Sequence, residues 1–541
     1  MPQKLYRKHP SEPHITGISH YQTLYSASIQ HPDLFCSGNF ANGDTAWFLE
    51  GRLNASYNCV DRHALETPSK PAIMFEENAD EETRIITYSE LLWSVCQLSY
   101  VLQDMGVAKG DTVTIYMPMV PEVLIAMLAC ARIDAFHSVV FAGFSAEALQ
   151  ERILDAGSKL IITSDEARRA GKTISMKSVV DQTLRSCPGV TGCLVFKRTG
   201  TIHTPWTPSR DRWWHEEVKK WPDYMQPEDL SAEHSLFLLY TSGSTGKPKG
   251  DIDWITGHTY LCYGPLLLGS TTIKHHVTHF YTAPTVLRLL KKAGSEPIPD
   301  QAFKLRYYES TYFQIETGCH ALAPLAGVTS TKPGCPSVPF FGVDPVIIDP
   351  FTGSEIVGCN KEGYLAFRQP WPSMTRSVWG DHSRFIETYF NQYKGYYLTG
   401  DGAYWDSEGD YWVCGRIGDV INVSGHRLST AKLEAALLEH RDANKILFLI
   451  SAVSEAAVVG VSDEMTGQAL LSIGGFATPK FLIVVSDIPK TRSGKIIRRI
   501  LRKIFEGEKT NFGDVSTLID PASIQAVVEE VEALKKAERV M

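Results

Sequence analysis

The sequence is short of several features that would define other protein classes. No two of its eleven cysteines (36, 59, 96, 130, 187, 193, 262, 319, 335, 359 and 414) stand at C-x-x-C spacing, which argues against a zinc ribbon or a thioredoxin-type site. Their odd number in a long chain favours reduced thiols over a disulfide framework. Long apolar runs are missing too. The most apolar charge-free run of the first third, residues 123–131, falls well short of the roughly 20 residues that span a bilayer. Residues 1–14 mix Lys, Arg, Glu and Pro without the apolar stretch of a leader. Basic charge is not in excess: 53 Lys+Arg against 61 Asp+Glu leave a net charge of −8, which removes nucleic acid as a main partner. Repeats at solenoid periods are absent. What remains is a chain of 541 residues, 43% hydrophobic and 21% charged, ordinary for a globular protein. The expectation is a cytoplasmic protein (the nucleus stays open) with neither membrane nor nucleic acid as partner.

The first third alternates between helical and extended patterns. Thr87 and Glu90 have capping-box spacing. Leu91, Leu92, Val95, Leu98, Val101, Leu102 and Met105 then recur on one helical face, and Gly106 suits the stop. A strand over 112–117, a buried helix over 123–132, a strand over 137–141, a helix over 145–156 and a strand over 160–163 follow. That order predicts a parallel sheet with crossover helices. Residues 200–232, rich in Trp, Pro and charge, read as a surface excursion. Near the end, 516–541 hold a helix candidate.

A second apolar strand, 235–240, runs into Thr241-Ser242-Gly243-Ser244-Thr245-Gly246-Lys247-Pro248-Lys249-Gly250. Small residues let backbone N–H groups approach an anion, hydroxyls add donors, and two lysines add charge. The G-x-x-x-x-G-K-[ST] spacing is missing, so this is not a Walker A loop.

This loop resembles the signature loop of the adenylate-forming superfamily of acyl-CoA synthetases, luciferases and peptide-synthetase adenylation domains. Further segments, in the family's order, resemble acetyl-CoA synthetases: Trp254-Ile255-Thr256-Gly257-His258-Thr259-Tyr260, Tyr281-Thr282-Ala283-Pro284-Thr285, Thr311-Tyr312-Phe313-Gln314-Ile315-Glu316-Thr317-Gly318, Tyr397-Leu398-Thr399-Gly400-Asp401-Gly402, Gly415-Arg416, Asn422-Val423-Ser424-Gly425-His426-Arg427 and Pro489-Lys490-Thr491-Arg492-Ser493-Gly494-Lys495-Ile496. The resemblance implies an α/β fold. A large N-terminal adenylation domain of mixed and parallel sheets with flanking helices (1–417) would precede a small, mobile α+β C-terminal domain (418–541). It also implies an AMP-forming acetate–CoA ligase. Acetate and ATP would give acetyl-adenylate and pyrophosphate, and CoA would then displace AMP. Two anions must meet, so positioning and electrostatics should dominate the catalysis.

The same resemblance suggests a role for each matching residue. Lys495 would bridge the acyl carboxylate and the α-phosphate, as a point charge on a long stem can. It would also be the target of lysine acetylation and deacetylation enzymes, since acetylation removes that charge. Arg427 would contact phosphates, and Glu316 would help hold Mg2+, a hard cation that takes oxygen ligands. Thr241, Ser242, Gly243, Ser244, Thr245, Gly246 and Lys247 would cradle the ATP phosphates. Asp401 would accept the two ribose hydroxyls, with Arg416 on the ribose or phosphate side and Gln314 in the same nucleotide site. Ser424 would help hold CoA, as would Arg169, Gly171 and Lys172. Trp254, Ile255 and Thr256 would wall the acyl pocket. Phe313 stands where acetate-specific members carry Trp, so its smaller ring would relax the pocket toward propionate.

The chain also departs from the family pattern. Segments are missing after 250, 273 and 306, and a stretch is absent between 475 and 476, whereas 442–451 look inserted. Ile315 replaces a threonine beside Glu316, and Gly418 stands at the domain hinge. These departures raise a second reading, a catalytically impaired homologue that retains adenylate binding.

Overall fold

The computed structural model describes residues 18–30, 37–38, 40, 45–48, 51–76, 83–169, 172–240, 262–268, 311–325, 328–330, 332, 334–417, 420–423, 426–429, 457, 459, 461–463, 467–469, 483, 485, 487–490, 496–512, 515, 518 and 520–538. The chain forms two compact units. One comprises residues 46–306 and 378–380; the other comprises 1–45, 307–377 and 381–541. Residue 418, the expected hinge, lies outside the described residues.

The unit built on 46–306 follows from local signals. Helix α1 (Tyr88–Asp104) opens on a complete capping box: Glu90 N–H donates to the Thr87 hydroxyl, and Thr87 N–H donates to the Glu90 carboxylate. Strand β1 (Thr112–Tyr116) leads into α2 (Pro121–Arg132), where Pro121 occupies the first helical turn, a position whose N–H would have no i−4 carbonyl within the helix. Strand β2 (Phe136–Val139), α3 (Ala146–Ala156), β3 (Leu160–Ser164), α4 (Met176–Leu184), β4 (Gly192–Phe196), β5 (Asp211–Trp213) and β6 (Phe237–Leu238) complete the series. All six strands run parallel, in the order β5-β4-β3-β1-β2-β6.

Period-two alternation divides the two faces of this sheet. Val113, Ile115, Leu160, Ile162 and Leu194 join the core formed with α1 and α2. Tyr116, Ile161, Cys193 and Val195 point the other way, into the core formed with α3 and α4. Each fully buried aliphatic side chain contributes about 1.5–3 kcal/mol. The chain leaves β1 toward β2 and leaves β3 toward β4. The sheet order therefore reverses between β1 and β3, and the crevice beyond their carboxyl ends is where open α/β sheets bind ligands.

The expectation of a surface excursion at 200–232 holds for much of the segment, where Ile202 is 90% exposed, but parts of it join the fold. The segment supplies the edge strand β5, paired to β4 through Cys193–Asp211, and inserts Trp214 and Met225 into the core. One of its charges, Asp211, is buried and ion-paired. Lys177 Nζ lies 2.7 Å from both Asp181 and Asp211, and Arg210 Nε lies 2.7 Å from Asp211.

The other unit holds a four-stranded antiparallel sheet: β7 (Pro345–Ile348), β8 (Gly363–Phe367), β9 (Tyr397–Trp405) and β10 (Tyr411–Arg416), in that order. Helix α5 (His382–Tyr389) precedes β9. The short strands β11 (Val420–Val423) and β12 (His426–Ser429) form a hairpin. Near the C-terminus, α6 (Arg498–Glu506) and α7 (Ala522–Glu538) share a core of Ile500, Leu501, Ile504, Val527, Val528 and Val531. No helix among the described residues is long and apolar enough to cross a membrane.

Candidate active site

The β9–β10 register sets Asp401 directly opposite Arg416. Arg416 Nε lies 3.2 Å from Asp401 Oδ1. Asp401 is 5% exposed, and its other oxygen is fully engaged. Oδ2 accepts from the Tyr312 hydroxyl at 2.6 Å and from Gln314 Nε2 at 2.9 Å. Gln314 Nε2 also donates to the Thr399 carbonyl at 2.6 Å, while Gln314 Oε1 accepts from the Tyr397 hydroxyl at 3.1 Å. These partners fix which way the amide points. Burial raises the Asp401 carboxyl above its ordinary pKa and nearby Glu316 adds to the shift, although Arg416, Tyr312 and Gln314 all favour the charged form. A buried carboxylate with one oxygen open beside a guanidinium suits an uncharged polyol, and the arginine suits an anion attached to it.

Glu316 belongs to the same turn. The Tyr389 hydroxyl donates to Glu316 Oε1, and the Tyr389 ring stacks on Tyr397 with centroids 5.0 Å apart. Thr375 N–H donates to the Glu316 carbonyl at 2.9 Å. Among the described residues no group of three His, Cys, Asp or Glu side chains is arranged to hold a metal. A single carboxylate still fits Mg2+, which commonly takes one or two carboxylates and completes its shell with phosphate oxygens and water.

The structure thus brings Gln314, Glu316, Asp401 and Arg416 together. Phe313, the neighbour of Gln314, is half-buried and meets His320 edge-on at 6.0 Å. Burial pushes the His320 imidazole down to about 4, so that ring is neutral at pH 7. Arg169 and Lys172 are cross-strand partners in a hairpin, 167–169 with 172–174, that directly follows β3. Arg427 pairs with Asn422 across the β11–β12 hairpin. Thr241, Ser242, Gly243, Ser244, Thr245, Gly246, Lys247, Trp254, Ile255, Thr256, Gly171, Ser424 and Lys495 lie outside the described residues.

Sequence reasoning missed Tyr312, Tyr389, Tyr397 and Thr399 as partners of the site. A signal was present for two of them. Tyr397 and Thr399 precede Asp401 by four and two residues within one extended motif, the spacing at which strand residues share a face.

Comparison with known proteins adds the following. The model of a family described as AMP-binding enzyme matches residues 60–250. The acetyl-coenzyme A synthetase of Penicillium chrysogenum is 48% identical, over 99% of this chain and 96% of its own length. Acetyl-coenzyme A synthetase 2 of Saccharomyces cerevisiae is 43% identical, over 98% of this chain and 96% of its own. The Penicillium alignment runs over 655 positions against 541 residues here, so at least 114 of them face a gap in this chain. Among solved structures, the acetoacetyl-CoA synthetase of Streptomyces lividans superposes with a TM-score of 0.78 at 19% identity, covering 96% of this chain and 93% of that one. At that identity the likeness shows the fold alone.

Proposed function

The chain belongs to the acetyl-CoA synthetase family and is an AMP-forming acetate–CoA ligase, and we propose that its residues divide the reaction as follows. Asp401 binds the ribose of ATP, held by Tyr312 and Gln314. Arg416 sits beside it on the phosphate side. Glu316 contributes an oxygen to Mg2+, which neutralises phosphate charge when bound. The loop 241–247 cradles the phosphates through backbone N–H groups and hydroxyls. Arg427 adds charge to the phosphates. Lys495 bridges acetate and the α-phosphate as the adenylate forms.

Arg169, Gly171 and Lys172 hold CoA together with Ser424. In support, the 167–174 hairpin follows β3 at the point where the sheet order reverses, the end of an open α/β sheet that receives ligands. Trp254, Ile255, Thr256 and Phe313 enclose the acyl group. Phenylalanine in place of tryptophan leaves room for propionate, and one methylene shifts preference by only about 1–3 kcal/mol. Rotation of a C-terminal domain beginning at Gly418 exchanges Lys495 for the CoA-binding residues. Acetylation of Lys495 would switch adenylation off, and a cytoplasmic location matches these substrates.

The observation that carries this division is the Asp401 cradle, a buried carboxylate set opposite an arginine by strand register. The test is acetate-dependent ATP–pyrophosphate exchange by the full chain, with propionate in parallel. Exchange is expected with acetate, weaker with propionate, and abolished by Lys495→Gln. Exchange that survives Lys495→Gln rejects the role of the lysine. Folded protein that shifts its melting point with AMP but performs no exchange is the impaired homologue.

A further inference from the structure

A cavity of about 690 Å3 opens in the unit built on 46–306, between α1, the start of α2 and the segment 214–223. None of the residues given a role in the reaction lines it, and its size is that of a small-molecule site. Trp214, 7% exposed, lies in its wall, while Ile85 and Trp93 at the rim are about half exposed. Its charged groups are Arg84 against Glu90, Glu122 and Asp223, so negative charge is in excess. Each carboxylate has one oxygen engaged. Arg84 Nη2 lies 2.9 Å from Glu122 Oε1, Glu90 Oε2 accepts from the Thr87 N–H at 2.8 Å, and Asp223 Oδ1 accepts from Gln97 Nε2 at 2.9 Å. Glu122 is 5% exposed, and among the described residues its Oε2 is buried without a hydrogen-bond partner. A buried carboxylate oxygen that lacks a donor is costly and calls for one.

We propose that this cavity binds an aliphatic polyamine. One ammonium group supplies the donor that Glu122 Oε2 lacks. Arg84 holds Glu122 through a single nitrogen, and its side chain is 45% exposed, so it can swing toward solvent and let the ligand in. Further ammonium groups reach Glu90 and Asp223 at the rim. The methylene stems between them lie along Ile85 and Trp214, and the face of Trp93 attracts an adjacent ammonium. A bare metal ion would leave those apolar walls unmatched, and an anion would meet the wrong charge.

The experiment titrates the full chain with the tetramine spermine by calorimetry, without nucleotide. Saturable binding of one spermine per chain is expected. Glu122→Gln, which keeps the shape but removes the charge, should weaken it roughly tenfold, the worth of a hydrogen bond to a charged group. Asp223→Asn and Trp93→Ala change exposed side chains, so they keep the fold if Glu122→Gln does not. Each should weaken binding about threefold, the scale of an exposed ion pair or cation–π contact. Glu387→Gln removes an exposed charge from α5, outside the cavity, and should leave affinity within about 1.5-fold. MgCl2 at the same concentration of positive charge should compete poorly. Binding that does not saturate, equal competition by MgCl2, or affinities of Asp223→Asn and Trp93→Ala no weaker than that of Glu387→Gln would each overturn the proposal, because attraction to the net negative chain would then suffice.

Discussion

Gly318→Ala tests whether the turn that carries Glu316 must keep its shape. Gly318 has φ +71°, and a Cβ there would lie 1.9 Å from the Ser373 carbonyl oxygen and 2.8 Å from its carbon. Two costs follow. Left-handed backbone costs a non-glycine residue about 1–2 kcal/mol, partly offset by a stiffer unfolded chain. The contact costs more, because Cβ and oxygen must separate by about 1 Å before they reach even the tightest distances found in real proteins. Ser373 cannot retreat alone. Its hydroxyl donates to the Thr317 carbonyl at 2.6 Å, and Thr375, two residues on, donates its N–H to the Glu316 carbonyl at 2.9 Å. The displacement therefore passes directly to the carboxylate beside Asp401. A misplacement of about 1 Å at a reacting centre costs on the order of 10²-fold. ATP–pyrophosphate exchange at saturating substrates should fall by about that factor, while the melting point drops only a few degrees. Gly409→Ala is the control. Its φ is +89° with nothing within 4 Å of the new Cβ, so it carries the backbone cost alone and should keep its exchange rate. Exchange within about threefold in Gly318→Ala, or equal losses in both variants, would refute the reasoning.

Two further tests address stability. Arg132 and Asp61 form a bidentate pair, 2.8 Å at each contact, with side chains 0% and 3% exposed. Asp61→Ala should cost about 3–5 kcal/mol in urea unfolding, because it strands a buried guanidinium, and Asp61→Leu with Arg132→Met should recover most of it; a loss under about 1 kcal/mol in the single variant sinks the argument. Burial alone would raise the Asp406 carboxyl, but Lys332, Trp412 and two backbone N–H groups hold it down at about 2, against an ordinary 3.8. A lowered carboxylate pKa adds stability above the unfolded value and loses it as pH falls through the folded one, here about 1–2 kcal/mol between pH 4 and pH 2. Lys332→Met should shift that loss to higher pH in melts taken across this range, and superimposable pH profiles would count against the linkage.

What was legible in the sequence was local. The capping box at Thr87 and Glu90 and the apolar alternation of 112–163 act over a few residues, so pattern alone located α1 to β3. Residues 200–232 were legible only in part because composition counts charges without their partners: Asp211 stands in a charge-rich stretch, yet Lys177 and Arg210 neutralise it inside the fold. The site was legible by motif, not by geometry. Asp401 and Arg416 stood out as separate signatures fifteen residues apart, and only the hairpin register makes them neighbours. Tyr312 gave no warning at all. An aromatic ring inside a motif reads as packing, and nothing nearby in the chain announces a hydroxyl bonded to a carboxylate 89 positions away.

The nucleotide machinery is divided in a way that bears on the gaps. Among the described residues, the side-chain partners of Asp401 come from 312–416, within one compact unit. The segments expected to be missing after 250, 273 and 306 all precede it. On the proposed division, ribose recognition would draw on contacts that, among the described residues, lie after those positions. Formation of the adenylate is different on the proposed division, because it would also require the phosphate loop at 241–247, directly before the first expected gap, and Lys495. Nucleotide affinity and exchange thus report on separate parts of the chain. A variant or natural form altered around residue 250 should lose exchange before it loses AMP binding, whereas a change at Gln314 or Tyr397 should weaken both together.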